Sequence, residues 1–327
     1  MTILRIASPS DLPAHLRGGV VAIGNFDGVH RGHCSVLERA LEIAREAGVP
    51  ALVLTFEPHP RSVFRPENPV FRLTSAPIRA RLLDALGFDG VIEQPFNRDF
   101  ASTSAEDFVQ AILRDALDIR HVVTGVDFHF GKERRGGPAF LMAEGERLGF
   151  GVTLVDAYRD ENAEVISSSR IRSLLQAGDV AQAAGLLGYR YTVEAEVSHG
   201  KKLGRTLGYP TANMRLPAET DLALGIYAVR YRRPDGSLHD GVASFGRRPT
   251  VDADGAPLLE TFLFDFNGNL YGEVSSVSFF GFLRGEEKFD DLDALVVQMK
   301  QDEAQARALL SRITPLSDLD RALSFSV

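Results

Sequence analysis

Two stretches of this chain carry residue types that suit phosphate chemistry. The first is Gly24-Asn25-Phe26-Asp27-Gly28-Val29-His30-Arg31-Gly32-His33. It follows the β-branched run Val20–Ile23 and leads into a helical pattern, where free backbone N–H groups and the helix dipole favour anions. Gly24 and Gly28 let the backbone come close to a ligand, with Phe26 and Asp27 between them. His30 and His33 are placed to donate to phosphoryl oxygens as charge builds in a transition state. The second is Gly200-Lys201-Lys202-Leu203-Gly204-Arg205-Thr206-Leu207-Gly208-Tyr209-Pro210-Thr211-Ala212-Asn213. Backbone N–H groups of a loop containing Gly200 and Gly204, together with Lys201, suit a triphosphate. Thr211 and Asn213 lie two apart on an extended segment, so their oxygens share one face and suit Mg²⁺. The loop lacks the Gly-Lys-Ser/Thr of a P-loop, and on these residues alone a plain basic hairpin is the default reading. A third segment, Ile166-Ser167-Ser168-Ser169-Arg170-Ile171-Arg172, puts hydroxyls at a helix start followed by cations, either for phosphate or as an ordinary cap.

The elements that must position these residues fall into two classes. Up to about residue 186, short apolar runs alternate with helical patterns. The strand-like runs are Val20–Ile23, Ala51–Thr55, Val91–Ile92, Val122–Thr124 and Val152–Val155. Helical spacing covers Gly32–Ala47 and Thr74–Leu86, and Ser104 with Asp107 resembles a capping box before a helix through Leu117. The proline-rich stretch 58–69 reads as loop. This alternation predicts an α/β domain over 1–186 with a parallel sheet. From residue 187 the runs Tyr191–Val197, Tyr227–Tyr231, Val242–Phe245, Thr261–Phe266 and Val274–Phe280 are separated by turn residues. No helical pattern returns before Leu292–Leu310. That predicts an antiparallel barrel or sandwich over 187–327, closed by a C-terminal helix.

Composition limits the partners. The 327 residues carry 44% apolar and 24% charged side chains, as an ordinary globular protein does, and length alone allows two domains. A net charge of −8 argues against a polyanionic partner such as nucleic acid and against an anionic membrane surface. The one cysteine, Cys34, rules out an intramolecular disulfide framework and reads best as a small helix residue rather than a reactive thiol. With no leader-like N-terminus and no long apolar run, a cytoplasmic location is expected, with small molecules as partners. Oligomeric state is not legible.

His-x-Gly-His and the Ser-rich segment ending in Arg resemble the nucleotidylyltransferase superfamily. GNFDGVHRGH, then Thr55–Pro60 (TFEPHP) and Gly125–Gly137, are similar to prokaryotic FAD synthetase modules. The glycine-rich loop with Pro-Thr-Ala-Asn, then Gly225–Ala228, Gly241–Thr250, Glu260–Phe266 and Leu283–Phe289, is similar to riboflavin kinase. Together they cover nearly the whole chain in the order of bifunctional riboflavin kinase/FAD synthetases. The resemblance implies a Rossmann-like adenylyltransferase domain followed by a mainly antiparallel β-barrel kinase domain. It implies ATP-dependent phosphorylation of riboflavin to FMN, then adenylylation of FMN to FAD with release of pyrophosphate. Glu260 matches the kinase family's catalytic glutamate, and Thr211 with Asn213 its Mg²⁺ ligands. Asp127 lies near the nucleotide, with Ser168 and Arg172 on the phosphates. Arg284 contacts flavin or its phosphate, or else is a surface arginine. The chain departs from the kinase pattern at Ser244, Arg247 and Gly285, which bears on local flavin contacts. Glu57–Pro60 and Lys132–Arg135 read equally as a rigid turn and a solvated charge run. A chain with one inactive half, a flavin- or nucleotide-holding regulator, and an RNA-binding relative sharing the His motif are the alternatives. The retained Glu260 and both histidines weigh against mere binding, and the acidic balance weighs against RNA.

Overall fold

A computed structural model describes residues 3–199, 209–247 and 256–325. They form two compact units, one of residues 1–70 with 79–167 and one of 71–78 with 168–327.

The first unit is built on six parallel strands, β1 (Leu4–Ile6), β2 (Val20–Ile23), β3 (Ala51–Glu57), β4 (Gly90–Pro95), β5 (His121–Gly125) and β6 (Gly151–Val155). Their order across the sheet is β1-β4-β3-β2-β5-β6. The central strands are almost wholly inaccessible, because helices cover both faces, and so they read as continuous apolar runs. Leaving β2, the chain builds outward on one side through β3 and later returns to add β5 on the other. The order therefore reverses beside β2, and ligand crevices open at such reversals, outside the strands' carboxyl ends. Helix Arg31–Ala47 lays Val36, Leu37, Ala40 and Ala44 on the sheet at a 3–4 residue spacing, and Gly48 ends it in the left-handed conformation at φ 64°.

Three local expectations need correction. Pro60–Phe64 is a short helix inside the stretch read as loop: Pro60 presets φ for a first turn and His59 caps it, Nδ1 accepting from Arg61 N–H at 3.1 Å. The helix expected from Thr74 begins at Ala76. The one after Ser104 is capped as expected, Ser104 Oγ accepting from Asp107 N–H at 2.9 Å, but continues over Phe108–Ala116 as a π-helix. The edge strand β1, three residues long, was too short to show in the sequence pattern.

The second unit holds β7 (Thr192–Ser198), β8 (Thr211–Arg215), β9 (Gly225–Arg232), β10 (Leu238–Gly246), β11 (Leu258–Leu263) and β12 (Val274–Arg284). They close as an antiparallel barrel in the order β10-β11-β8-β7-β12-β9, which decides between barrel and sandwich. Alternation sends Met214, Tyr227, Tyr231, Phe245, Leu259 and Phe279 inward, all wholly buried. With no tryptophan in the chain, Phe and Tyr supply this volume. The strand expected over Thr261–Phe266 stops at Leu263, since Asp265 turns the chain at φ 54°. Helix Leu292–Leu310 packs Ala306 and Leu310 on Ala228, Phe264 and Phe280 of the barrel's outer wall. The final helix, Asp318–Ser324, is tied down by buried Asp320, which accepts from Arg190 N–H at 2.9 Å and pairs with the Arg190 guanidinium.

Candidate functional site

In the first unit the segment after β2 is unusually contorted. Phe26, Gly28 and Val29 all have positive φ (45°, 93° and 35°). For a β-branched residue that is a true outlier, and such strain of about 1–3 kcal/mol persists only where the surroundings enforce it. Two hydroxyls help: Thr55 donates to Asn25 O and Thr124 to Ile23 O, each at 3.0 Å. A Cβ at Gly24 would stand 3.0 Å from the Phe26 ring, so a side chain there would press on that ring. Asp27 is buried.

The contortion delivers His30 to the N-cap of helix Arg31–Ala47, buried, with Nδ1 accepting from His33 N–H at 3.2 Å. An acceptor at Nδ1 leaves the proton of the neutral ring on Nε2, so Nε2–H is the donor His30 can offer. The His33 ring stacks on it with centroids 3.6 Å apart and planes 16° apart, and the Phe26 ring stands edge-on to His33 at 5.4 Å. Two imidazoles are thus gathered where the sheet order reverses. Asp127 follows β5, the strand next to β2, so its exposed carboxylate belongs to the same edge of the sheet. Arg31 turns away to clasp Glu161 at 2.6 Å and Tyr158 OH at 3.3 Å. That ion pair holds the Glu161 carboxyl below the usual carboxylate range. Glu161 and Tyr158 carried no motif in the sequence. Burial pushes the Cys34 thiol up to about 12, which matches the inert reading of this residue. Glu57 accepts from the buried Arg79 guanidinium at 3.1 Å, a structural tie for the TFEPHP segment.

Ser168 and Arg172 lie on helix Ser168–Gln176 of the second unit. Ser168 opens it, and Arg172 Nε donates to Phe71 O at 2.6 Å. Gly200, Lys201 and Gly204 fall outside the described residues.

On the barrel, strand register does the positioning. Asn213 on β8 is paired with Glu260 on β11, Glu260 with Ser244 on β10, Ser244 with Ile226 on β9, and Ile226 with Arg284 on β12. Directly paired side chains share a face, with Cβ atoms about 5 Å apart. One outward row therefore crosses five strands, and it lines a cavity of about 720 Å³ whose far wall is loop 285–291 and helix Leu292–Leu310. That volume suits a ligand of flavin size. A bulge in β12 between Phe282 and Arg284 re-aims the last residue of the row.

Within the row, Asn213 Nδ2 donates to Thr211 O at 3.0 Å and to Thr211 Oγ1 at 3.3 Å. Its Oδ1 is buried with no protein partner. A buried carbonyl oxygen costs about 1–3 kcal/mol when left unmade. Thr211, two residues back on the same strand face, carries the other side-chain oxygen, and two such oxygens are donors of the kind Mg²⁺ takes. Arg284 is not a surface arginine. Its Nε and Nη2 donate to both oxygens of buried Asp302 at 2.9 and 2.8 Å, which raises the guanidinium pKa further, and Gln298 Nε2 donates to Asp302 at 2.9 Å. Its remaining nitrogen reaches Gly285 O at 3.0 Å. Asp302 and Gln298 were missed in the sequence; the available signal was an i,i+4 polar pair on a helix with apolar neighbours. Arg247, one of the departures from the kinase pattern, is spent on the carbonyls of Ala218 and Thr220 at 3.1 and 2.7 Å.

Comparison with known proteins also divides the chain in two. Residues 12–170 match the FAD synthetase family and 187–310 the riboflavin kinase family. A bifunctional riboflavin kinase/FMN adenylyltransferase of Pseudomonas fluorescens is 43% identical over 91% of this chain and 94% of its own length. The enzyme of the same description from Haemophilus influenzae is 40% identical over 90% and 96%. A crystal structure described as a macrolide-efflux protein from Streptococcus pneumoniae superposes with a TM-score of 0.81 at 32% identity, covering 94% of this chain and 99% of that one. Efflux is a description of that protein; among the described residues here, no helix is long and apolar enough to cross a membrane.

Proposed function

The chain belongs to the bifunctional riboflavin kinase/FMN adenylyltransferase family, and on that premise we propose which of its residues perform the two reactions. The enzyme phosphorylates riboflavin with ATP to FMN and joins FMN to the adenylyl group of a second ATP, giving FAD and pyrophosphate. We assign the adenylyl transfer to 1–186 and the kinase to 187–327.

In the kinase step the nucleophile is the ribityl 5′-hydroxyl, weak while protonated. Glu260 accepts that proton as the oxygen attacks the γ-phosphorus and ADP leaves. The observation that carries this reading is the paired row Asn213–Glu260–Ser244 on the cavity wall, which sets an acceptor beside a buried, unpartnered carbonyl oxygen. Mg²⁺ would be held by Asn213 Oδ1 and Thr211 Oγ1 and, when bound, supplies positive charge to the transferring phosphoryl group. Arg284, held by Asp302, presents its stem and edge to the flavin. Gly200, Lys201 and Gly204 are assigned to ATP on sequence alone.

In the adenylyl step the nucleophile is already an anionic phosphate, so no base is needed. The phosphate oxygen of FMN bonds to the α-phosphorus as the bond to pyrophosphate breaks. His30 Nε2–H and His33 offset charge on the non-bridging oxygens. Gly24, Phe26, Asp27, Gly28 and Asp127 form the nucleotide's seat, and Ser168 and Arg172 contribute to the phosphates by their sequence signature. Composition supports action in the cytoplasm.

The test is purified protein with riboflavin, ATP and Mg²⁺, flavins separated by chromatography. Glu260→Gln is expected to stop FMN formation and leave FMN conversion to FAD. His30→Ala is expected to accumulate FMN. FMN formation by Glu260→Gln at the wild-type rate overturns the assignment.

A further inference from the structure

Among the described residues, the rim of the kinase cavity is one-signed. Besides Glu260 and the Arg284–Asp302 pair, every charged residue lining it among the described residues is acidic: Glu286, Glu287, Asp290, Asp291 and Glu303. Two of these are occupied elsewhere. Asp291 caps helix Leu292–Leu310 through Ala294 N–H at 2.7 Å, and Glu303 is bridged by Arg307 at 2.9 Å. Glu286, Glu287 and Asp290 remain as exposed carboxylates on the loop that closes the cavity. Arg284 is 3.9 Å from Glu287 and is already satisfied by buried Asp302. Lys288 on the same loop is not part of the lining. Independently, Asn213, a lining residue that is 95% buried, keeps an Oδ1 with no protein partner, an acceptor whose bonding a ligand here would complete.

The reaction changes the ligand's charge. Riboflavin enters neutral; FMN leaves with a phosphomonoester bearing about −1.5 to −2 at neutral pH. A rim that is indifferent to the first repels the second. We propose that Glu286, Glu287 and Asp290 are a specificity element that discriminates neutral flavin from phosphorylated flavin, so that this cavity takes riboflavin and discharges FMN. The inference rests on the assignment of this cavity to the kinase flavin. A dianionic phosphate on the order of 10 Å from three carboxylates, in water and with one Debye length of screening, is disfavoured about fivefold. The effect is larger at low ionic strength and nearly absent at ~1 M salt.

The experiment uses the full chain and measures added FMN as a competitive inhibitor of riboflavin phosphorylation. ADP release is followed, which the adenylyl step does not produce. Neutralising the rim (Glu286→Gln, Glu287→Gln, Asp290→Asn together) is expected to lower the FMN inhibition constant about fivefold and to change the riboflavin KM less than twofold. In the wild type, raising salt is expected to lower the same constant, and in the triple variant to leave it nearly flat. An inhibition constant unchanged within 1.5-fold, or a wild-type constant insensitive to salt, overturns the proposal. The Glu260→Gln variant separates the two claims. If it abolishes ADP release while the triple variant changes nothing, the cavity is the kinase site and only the rim's role fails. If it releases ADP normally, the site assignment fails as well.

Discussion

Gly32 separates the two histidines, and its replacement by alanine tests the adenylyl site through geometry rather than through removal of a catalytic group. A Cβ at this position would lie 3.1 Å from His30 Nδ1 and 3.2 Å from Ile166 O. Ordinary contacts there are longer by a few tenths of an ångström, so the His30 ring must shift by about that much or the helix start must give. Two effects oppose each other in stability. Alanine is favoured over glycine in a helix by up to ~1 kcal/mol, less in the first turn where Gly32 sits. Overpacking costs about 1–3 kcal/mol. The expected net loss is only about 1 kcal/mol, visible as a small fall in the unfolding midpoint. Activity responds differently. His30 Nδ1 is held by His33 N–H, and the rings stack at 3.6 Å, so a shift of one disturbs both donors. A misplacement of ~1 Å costs about 100-fold in rate, and a few tenths correspond to about 5–10-fold. FAD formation from FMN and ATP, followed by chromatography, is expected to fall by that factor, with ADP release from riboflavin phosphorylation unchanged as the internal control. A variant that makes FAD within twofold of the wild-type rate refutes the idea that this histidine pair is placed to ångström tolerance.

Glu260→Gln is expected to lower kinase turnover by about 10²–10⁴ with intact FAD formation from supplied FMN, read as ADP and FAD in parallel. Asp302→Ala leaves the Arg284 guanidinium, 16% exposed, without its carboxylate. Discounted for that exposure, a loss of about 2–3 kcal/mol is expected, seen as earlier denaturant unfolding together with a raised riboflavin KM; a stability change under 0.5 kcal/mol would contradict the pairing. Cys34 should resist a thiol reagent at pH 8 in the native state and react at once in denaturant. The raised thiol pKa also gives a sign: the folded state holds this proton more tightly, so the contribution is full below about pH 8.5 and is lost as pH rises toward about 12. Cys34→Ala should flatten that alkaline decline in urea melts.

The barrel's membership in a row, not the identity of its residues, is what sequence could not supply. Thr211 and Asn213 were legible as neighbours on one strand face, because their separation of two is local. That Glu260 stands next to Asn213, and Ser244 next to Glu260, depends on antiparallel registers joining positions tens of residues apart. No periodicity within one strand encodes a register. The same holds for Arg284, whose buried partner Asp302 arrives from a helix eighteen residues on. Likewise the acidic rim reads as an unremarkable charged loop until the cavity gives it a direction.

By itself the sequence determined the two classes of architecture and the helix that begins at the His motif, and it nominated the residues proposed to bear the chemistry. These rest on composition, on 3.6- and 2-residue periods and on contiguous motifs, all short-range along the chain. Only the tertiary structure decided that the second sheet closes as a barrel, that Arg31 pairs with Glu161, and which polar atoms are left without partners. Those outcomes turn on which distant segments pack together and on what burial then leaves unsatisfied, and that is a property of the folded whole.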